Sequence, residues 1–219
     1  MAHPAAAQAD TFAKLLVRNA ELFGARPAMR HKDLGIWQTW TWSQTLEIVR
    51  AYAVGLNRLG VRRGETVAIV GGNRPKLYWS VMAVQMLGAV PVPVYADAVA
   101  DELAFVLAHA DVRFAAVEDQ EQIDKIQSVI ERLPKLEMMV YDERRGLRDY
   151  DHARLRAMDD VIAEGRKALA GDPVVGEWLD NEIAAGKGSD PSIILYTSGT
   201  TGQSKGVVLT GEGSIRAAA

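Results

Sequence analysis

The chain has 219 residues, 48% of them hydrophobic and 24% charged, so it can bury the core of one domain, or of one domain and part of a second. This composition excludes a disordered or collagen-like chain, and the net charge of -3 gives no general attraction to nucleic acid, which is not expected as a partner. The lack of cysteine excludes thiol nucleophiles, disulfides and thiolate metal sites, and it suits a reducing, cytoplasmic compartment.

Two segments resemble targeting or membrane sequences, but neither fits. Residues 1–10 are alanine-rich, yet polar residues interrupt them and no basic start precedes an apolar core, so we predict a disordered tail and not a secretory signal. Residues 77–96 carry no charge and have the length of a membrane span. Because Pro91 and Pro93 break a helix there, we predict a buried helix followed by a strand. No membrane span is therefore expected, although peripheral membrane contact stays open.

Next, two strands at 28–31 and 36–40 are predicted to form a hairpin, and a helix with one apolar face should follow it. The residues of that apolar face are Leu46, Val49, Ala53 and Leu56.

The middle of the chain alternates short β-rich runs with helical stretches, which is typical of a mostly parallel sheet flanked by helices. An α/β fold is therefore predicted. The predicted strands are residues 67–70, 90–94, 114–117 and 138–141. The helical stretches carry apolar stripes, namely Leu77, Val81 and Val84, then Leu103, Leu107 and Ala110, then Ile123, Ile126, Ile130 and Leu133. Each stripe should face the sheet.

After the sheet, residues 142–160 carry many charges of both signs and are predicted to form a solvated loop. Two helices are expected over 158–170 and 173–185, before a turn at 186–191. Earlier in the chain, Asn73 and Arg74 follow a strand and could face a ligand crevice, but a helix cap and a surface arginine are the preferred interpretation. The four histidines are scattered without ligand spacing, so no metal site is expected from them.

The most informative segment is the run from Tyr196 to Gly206, which reads Tyr-Thr-Ser-Gly-Thr-Thr-Gly-Gln-Ser-Lys-Gly between predicted strands at 192–195 and 207–209. Its glycines allow backbone N–H groups to turn inward, its hydroxyls add donors, and Lys205 supplies a positive charge. These properties suit a polyphosphate, although a flexible turn is the alternative for a loop of this composition.

Two other nucleotide-binding motifs are excluded by residue order. A Walker A loop requires serine or threonine after its lysine, whereas Ser204 precedes Lys205 and Gly206 follows it. A dinucleotide-binding fingerprint requires a third glycine and a direct strand-to-helix junction, which the Gly-Glu-Gly sequence at 211–213 does not provide.

The run from Tyr196 to Gly206 matches the phosphate-loop signature of the adenylate-forming superfamily, Tyr-Thr-Ser-Gly-Thr-Thr-Gly-x-Pro-Lys-Gly. The chain as a whole resembles AMP-forming acyl-CoA synthetases from about residue 11 to 210. Segments similar to the N-terminal half of long-chain fatty acyl-CoA synthetases are 64–70, 83–95, 101–107 and 177–188. Two positions depart from the pattern: Ser204 stands in place of the usual proline, and Gly211 and Glu212 occupy the region where a histidine usually follows.

This resemblance implies that residues 11–219 are an incomplete N-terminal AMP-binding (adenylation) domain, with the family's C-terminal domain absent from the chain. It implies a long-chain fatty acid–CoA ligase that uses ATP, Mg²⁺ and coenzyme A. The residues implied to bind the phosphates of ATP are Thr197, Ser198, Gly199, Thr200, Thr201, Gly202 and Lys205. Thr197 is also implied to approach Mg²⁺, and no catalytic residue is implied within the chain.

Three functions remain open at this point. The chain could belong to a fatty acid–CoA ligase, to an adenylating ligase for another carboxylic acid, or to a noncatalytic truncated remnant that binds nucleotide or a partner. The family's groups for adenine, ribose and the acyl chain, and its catalytic lysine, belong downstream of Ala219. We therefore expect the 219-residue chain by itself not to form acyl-CoA.

Overall fold

The computed structural model describes residues 9–197 and 204–218. Within these residues the helices are α1 (Phe12–Phe23), α2 (Trp42–Leu59), α3 (Pro75–Met86), α4 (Ala100–His109), α5 (Gln120–Ser128), α6 (Met158–Gly171), α7 (Pro173–Ala185) and α8 (Gly211–Ala217). The strands are β1 (Pro27–Asp33), β2 (Ile36–Thr41), β3 (Thr66–Val70), β4 (Val90–Val94), β5 (Phe114–Val117), β6 (Met138–Tyr141), β7 (Leu155–Ala157), β8 (Pro191–Thr197) and β9 (Lys205–Thr210).

The central sheet of the described chain has five parallel strands in the order β4-β3-β5-β6-β7. Val67 of β3 pairs with Pro91 on one side and with Phe114 on the other. The chain therefore builds β4 on one side of β3 and then crosses to the other side for β5. The predicted α/β fold and its four predicted strands are confirmed.

Helices cover both faces of this sheet, which explains why its strands are almost entirely apolar. Val67 and Ile69 face a core formed with α1, α2, α3, α6 and α7. The alternate residues Ala68 and Val70 face a second core formed with α4 and α5.

Local signals in the sequence set several helix ends. Pro75 is the first residue of α3, where its missing N–H group costs no hydrogen bond. Thr41 and Gln44 form a reciprocal capping box at the start of α2. Asp101 and Glu102 lie in the first turn of α4, where the helix dipole favours negative charge.

The predicted solvated loop at 142–160 is wrong in part, because it contains β7, whereas the helix predicted to begin at 158 is present as α6. Leu155 and Ala157 are buried beside β6, whereas Arg156 between them is exposed. A strand of three residues surrounded by charges lacks the apolar run that would distinguish it from a loop. Leu147 is also buried, so this segment is only partly solvated.

The predicted cap at Asn73 is also corrected. Arg74 is the N-cap residue of α3, and it makes no capping hydrogen bond through its side chain. Asn73 instead accepts a hydrogen bond from the Tyr78 hydroxyl at 2.8 Å.

The N-terminal hairpin is confirmed: β1 and β2 pair antiparallel as a separate two-stranded sheet. The Trp40 ring meets the edge of Trp79 at 5.3 Å between centroids, which joins the hairpin to α3. Residues 77–96, the apolar run considered as a membrane span, form most of α3 and all of β4. In the described parts of the chain, no helix is long and apolar enough to cross a bilayer.

Of the predicted tail, residues 1–8 lie outside the described residues. Asp10 has defined contacts: its carboxylate pairs with Lys14 at 2.8 Å and accepts the Gly188 N–H at 2.8 Å. The hydrogen bond from Lys14 lowers the pKa of Asp10, which favours its charged form.

Candidate phosphate-binding site

The segment with the phosphate-loop signature connects the two strands of an antiparallel hairpin, β8 and β9. Tyr196 pairs with Gly206, and Thr197 pairs with Lys205, so Thr197 and Lys205 stand opposite each other where the strands meet the loop. Both residues are exposed. The hairpin therefore presents a hydroxyl and an ammonium group at the two ends of the loop.

Five of the seven predicted site residues lie outside the described residues, namely Ser198, Gly199, Thr200, Thr201 and Gly202. The other two, Thr197 and Lys205, are brought together by the register of the hairpin. The flanking strands predicted at 192–195 and 207–209 are present and extend to 191–197 and 205–210.

Glycine at position 206 has a local reason. A Cβ atom there would lie 3.1 Å from the ring of Tyr196 and 3.2 Å from Ile194, closer than ordinary van der Waals contact. The absence of a side chain at Gly206 therefore leaves room for the Tyr196 ring and the Ile194 side chain of the opposite strand.

The hairpin is held to the parallel sheet through β4 and α3. Strand β8 packs against β4. Gln85 of α3 donates a hydrogen bond to the Ser192 carbonyl at 2.8 Å, and the Ser192 hydroxyl donates to the Leu209 carbonyl at 3.1 Å. The first bond ties β8 to α3 and the second ties β9 to β8, so the base of the hairpin is held to the fold.

A cluster of three rings supports the other end of β8. The Tyr196 hydroxyl lies 2.6 Å from Nδ1 of His109, and their rings meet edge to face at 5.7 Å. Phe105, one turn earlier in α4, stacks on His109 at 5.5 Å. Burial raises the pKa of Tyr196, so its phenol stays protonated at neutral pH and can donate to the imidazole. This contact anchors the residue immediately before Thr197.

His109 is the residue near the site that the sequence did not identify. It lies 87 positions before Tyr196 in the chain, and its spacing to other histidines carries no signal. Only the packing of α4 beside β8 reveals the pairing.

A second crevice lies at the carboxyl ends of β3 and β5, where the strand order reverses and ligands bind in many α/β folds. Its charged groups are already paired with one another. The Glu118 carboxylate accepts the Gly72 N–H at 2.5 Å and pairs with Arg74 at 2.9 Å. Lys76 lies 2.6 Å from Asp142, whose pKa is raised by burial despite that ammonium group. The preferred assignment of Arg74 to the surface agrees with its paired, half-exposed side chain.

Across residues 9–197 and 204–218, no group of three or more histidine and carboxylate side chains is arranged to hold a metal ion. His109 and His152 each contact a non-metal partner: His109 meets Tyr196, and His152 Nε2 lies 3.1 Å from the Leu147 carbonyl.

A protein-family model described as AMP-binding enzyme matches residues 16–219. Among named relatives, the long-chain-fatty-acid–CoA ligase ACSBG2 of Mus musculus is 30% identical over 200 residues, which cover 91% of this chain and 29% of the relative. ACSBG1 of Bos taurus, also a long-chain-fatty-acid–CoA ligase by name, is 28% identical over 188 residues, which cover 86% of this chain and 25% of the relative. The chain thus spans less than a third of the length of these relatives.

Solved structures show the same fold. The anthranilate CoA ligase AuaEII, crystallised with anthranoyl-AMP, superposes with a TM-score of 0.77 at 23% identity, covering 95% of this chain and 36% of that one. A long-chain-fatty-acid–CoA ligase from Archaeoglobus fulgidus, FadD1, gives a TM-score of 0.70 at 21% identity, covering 92% of this chain and 36% of that one. At these identities the likeness establishes the fold of the described region.

Proposed function

This chain belongs to the AMP-binding enzyme family, and from that premise we propose that it is part of a long-chain fatty acid–CoA ligase that binds the phosphates of ATP at the β8–β9 hairpin. The observation that carries the proposal is the pairing of Thr197 with Lys205 on either side of a loop rich in glycine and hydroxyl groups. The names of the relatives support the choice of a fatty acid as substrate.

In this proposal the loop grips the β- and γ-phosphates. Lys205 provides a mobile positive charge at one end, and Thr197 provides a hydroxyl donor at the other. The residues between them contribute backbone N–H groups and further hydroxyls; they are Ser198, Gly199, Thr200, Thr201 and Gly202. His109 positions this loop indirectly, because it fixes Tyr196 next to Thr197.

The proposed reaction has two steps. A fatty acid carboxylate oxygen forms a bond to the α-phosphorus of ATP while the bond to the β-phosphate oxygen breaks, which gives acyl adenylate and pyrophosphate. The thiol of coenzyme A then attacks the acyl carbon and displaces AMP, which gives the thioester. Negative charge grows on the departing pyrophosphate in the first step, so the ammonium of Lys205 stabilises that transition state more than the ground state.

Mg²⁺ fits this site as an ion that binds together with ATP, with few of its ligands supplied by the protein. The Thr197 hydroxyl is an exposed oxygen donor of the kind that Mg²⁺ accepts, and the described residues offer no carboxylate cluster to hold the ion by themselves. When bound together with ATP at this site, the ion would neutralise part of the charge of the phosphates.

We expect a polypeptide that carries residues 1–219 and continues into the rest of the ligase to release pyrophosphate from ATP only when a long-chain fatty acid and Mg²⁺ are present. A panel of acids, with aromatic and short-chain members, identifies the substrate class. Pyrophosphate release with an aromatic acid alone would show a ligase for another acid. No acid-dependent release from any of the panel would contradict the ligase assignment and favour the noncatalytic alternative. The 219-residue chain by itself, which we expect not to form acyl-CoA, is assayed in parallel for pyrophosphate release and thioester formation.

A further inference from the structure

The hairpin of β1 and β2 has two faces of opposite character. On the inner face, Met29 packs against the core, and His31 and Asp33 line a cleft beside α3. The outer face carries Arg30 and Lys32, because side chains alternate along a strand. Both of these basic residues are exposed.

An aromatic residue joins the two basic residues on the outer face. Trp37 is the cross-strand partner of Lys32, and the guanidinium carbon of Arg30 lies 4.8 Å from the centre of the Trp37 ring. Asp33 is the cross-strand partner of Ile36, and both belong to the inner face, so the outer face at this end of the hairpin combines two cations and an indole without an acidic side chain.

The turn of this hairpin exposes apolar side chains to solvent, where they do not contribute to the core of the fold. Leu34 and Gly35 form a two-residue turn in which both φ angles are positive, 45° and 84°. Such turns favour asparagine followed by glycine, and leucine is disfavoured at the first position because its Cβ crowds the backbone. Leu34 is nevertheless 94% exposed there, and its neighbours Ile36 and Trp37 are 65% and 56% exposed.

We propose that the tip of this hairpin inserts, through Leu34 at the turn and Trp37 on the outer face, into the interfacial layer of a membrane that contains anionic lipids. Leucine at the turn supplies apolar surface, and the indole of tryptophan suits the boundary between acyl chains and headgroups. Arg30 and Lys32 lie behind the tip on the outer face, where their charges meet lipid phosphates. The proposal does not depend on the ligase assignment.

The shape of the tip favours a lipid surface over a protein partner. A stable protein interface buries about 800 Å² on each partner, which needs a broad surface. A two-residue turn with Leu34 at its tip and Trp37 beside it on the outer face presents only a small apolar surface. A surface of this size with two cations should bind membranes reversibly and more weakly as salt is added.

The test uses the purified 219-residue chain and vesicles of phosphatidylcholine, with or without phosphatidylglycerol, in a flotation assay. Leu34→Asn is the decisive variant, because asparagine suits the turn and should leave the melting temperature unchanged or raised. It should weaken binding to anionic vesicles on the order of 10-fold, since the apolar side chain no longer enters the membrane. Replacing Arg30 and Lys32 with glutamine should weaken binding to anionic vesicles by a similar factor without affecting neutral vesicles.

The matched control is Val174→Asn in α7, which removes an apolar side chain of 64% exposure far along the chain from the hairpin. Its binding to vesicles should equal that of the unchanged chain. The proposal is overturned if the unchanged chain binds neither kind of vesicle, or if Leu34→Asn binds as tightly as the unchanged chain. It is also overturned if Leu34→Asn abolishes self-association in sedimentation velocity while vesicle binding persists, which would identify a second copy of the chain as the occupant.

Discussion

Replacing Lys205 with alanine should slow fatty-acid-dependent pyrophosphate release by a factor on the order of 10², as removal of one preorganised transition-state donor typically does. The side chain is exposed at the mouth of the hairpin loop, opposite Thr197, so its loss should leave the packing of the hairpin intact. Because Lys205 holds the phosphates of bound ATP and acts more strongly on the departing pyrophosphate, kcat should fall, KM for ATP should rise, and kcat/KM should fall further than kcat.

The control for this variant is Lys167→Ala, which removes an exposed lysine from α6 without touching the hairpin. Its rate should equal that of the unchanged protein. Lys205→Arg retains the positive charge in a planar group, so its rate should lie between those of the unchanged protein and Lys205→Ala. An unchanged rate of pyrophosphate release in Lys205→Ala would remove the main support for the assigned role.

Replacing Gly165 with alanine should destabilise the fold by about 3 kcal/mol, because it forces apart α6 and α2, whose backbones are in direct contact at this position. A Cβ atom at position 165 in α6 would lie 1.8 Å from the Ala51 carbonyl oxygen and 2.8 Å from the Gly55 nitrogen, both in α2. The contacted atoms belong to the backbone and cannot rotate away. Urea unfolding followed by circular dichroism measures the loss.

Gly176→Ala in α7 is the matched control, since in the described part of the chain no atom outside the local backbone of α7 lies within 4 Å of the Cβ it would add. There the substitution should stabilise the protein by about 0.5 to 1 kcal/mol, because alanine favours the helix over glycine. Equal unfolding midpoints for Gly165→Ala and the unchanged chain would contradict the close crossing of α2 and α6.

The sequence predicted the central sheet well because its strands are buried on both faces. Strands such as β3 and β5 are continuous apolar runs, and they alternate with amphipathic helical stretches. Both patterns arise because the strands and the helices bury apolar side chains against each other. Strand β7 escaped prediction because Arg156 interrupts its two buried residues and charges flank it. Helix α1 was also missed, although Thr11 caps its first turn by accepting the Lys14 N–H.

The candidate site was recognisable for a different reason. The residue types between Tyr196 and Gly206 follow one another along the chain, so their chemistry can be read without knowing the fold. The contacts that hold the hairpin in place come instead from distant segments of the chain: His109 contacts Tyr196, and Gln85 contacts Ser192. Contacts of this kind depend on how helices pack beside the hairpin, and no local pattern encodes them.

The most direct test of the phosphate-binding assignment is a titration of the ¹⁵N-labelled 219-residue chain with Mg²⁺ and ATP, followed by amide NMR spectra. We expect the largest chemical shift changes at Thr197 and Lys205 and in the residues between them, and we expect Lys205→Ala to make these changes smaller. Shift changes centred instead on Gly71, Gly72 and Arg74, at the crevice where the strand order reverses, would contradict it. So would spectra that stay unchanged at millimolar ATP.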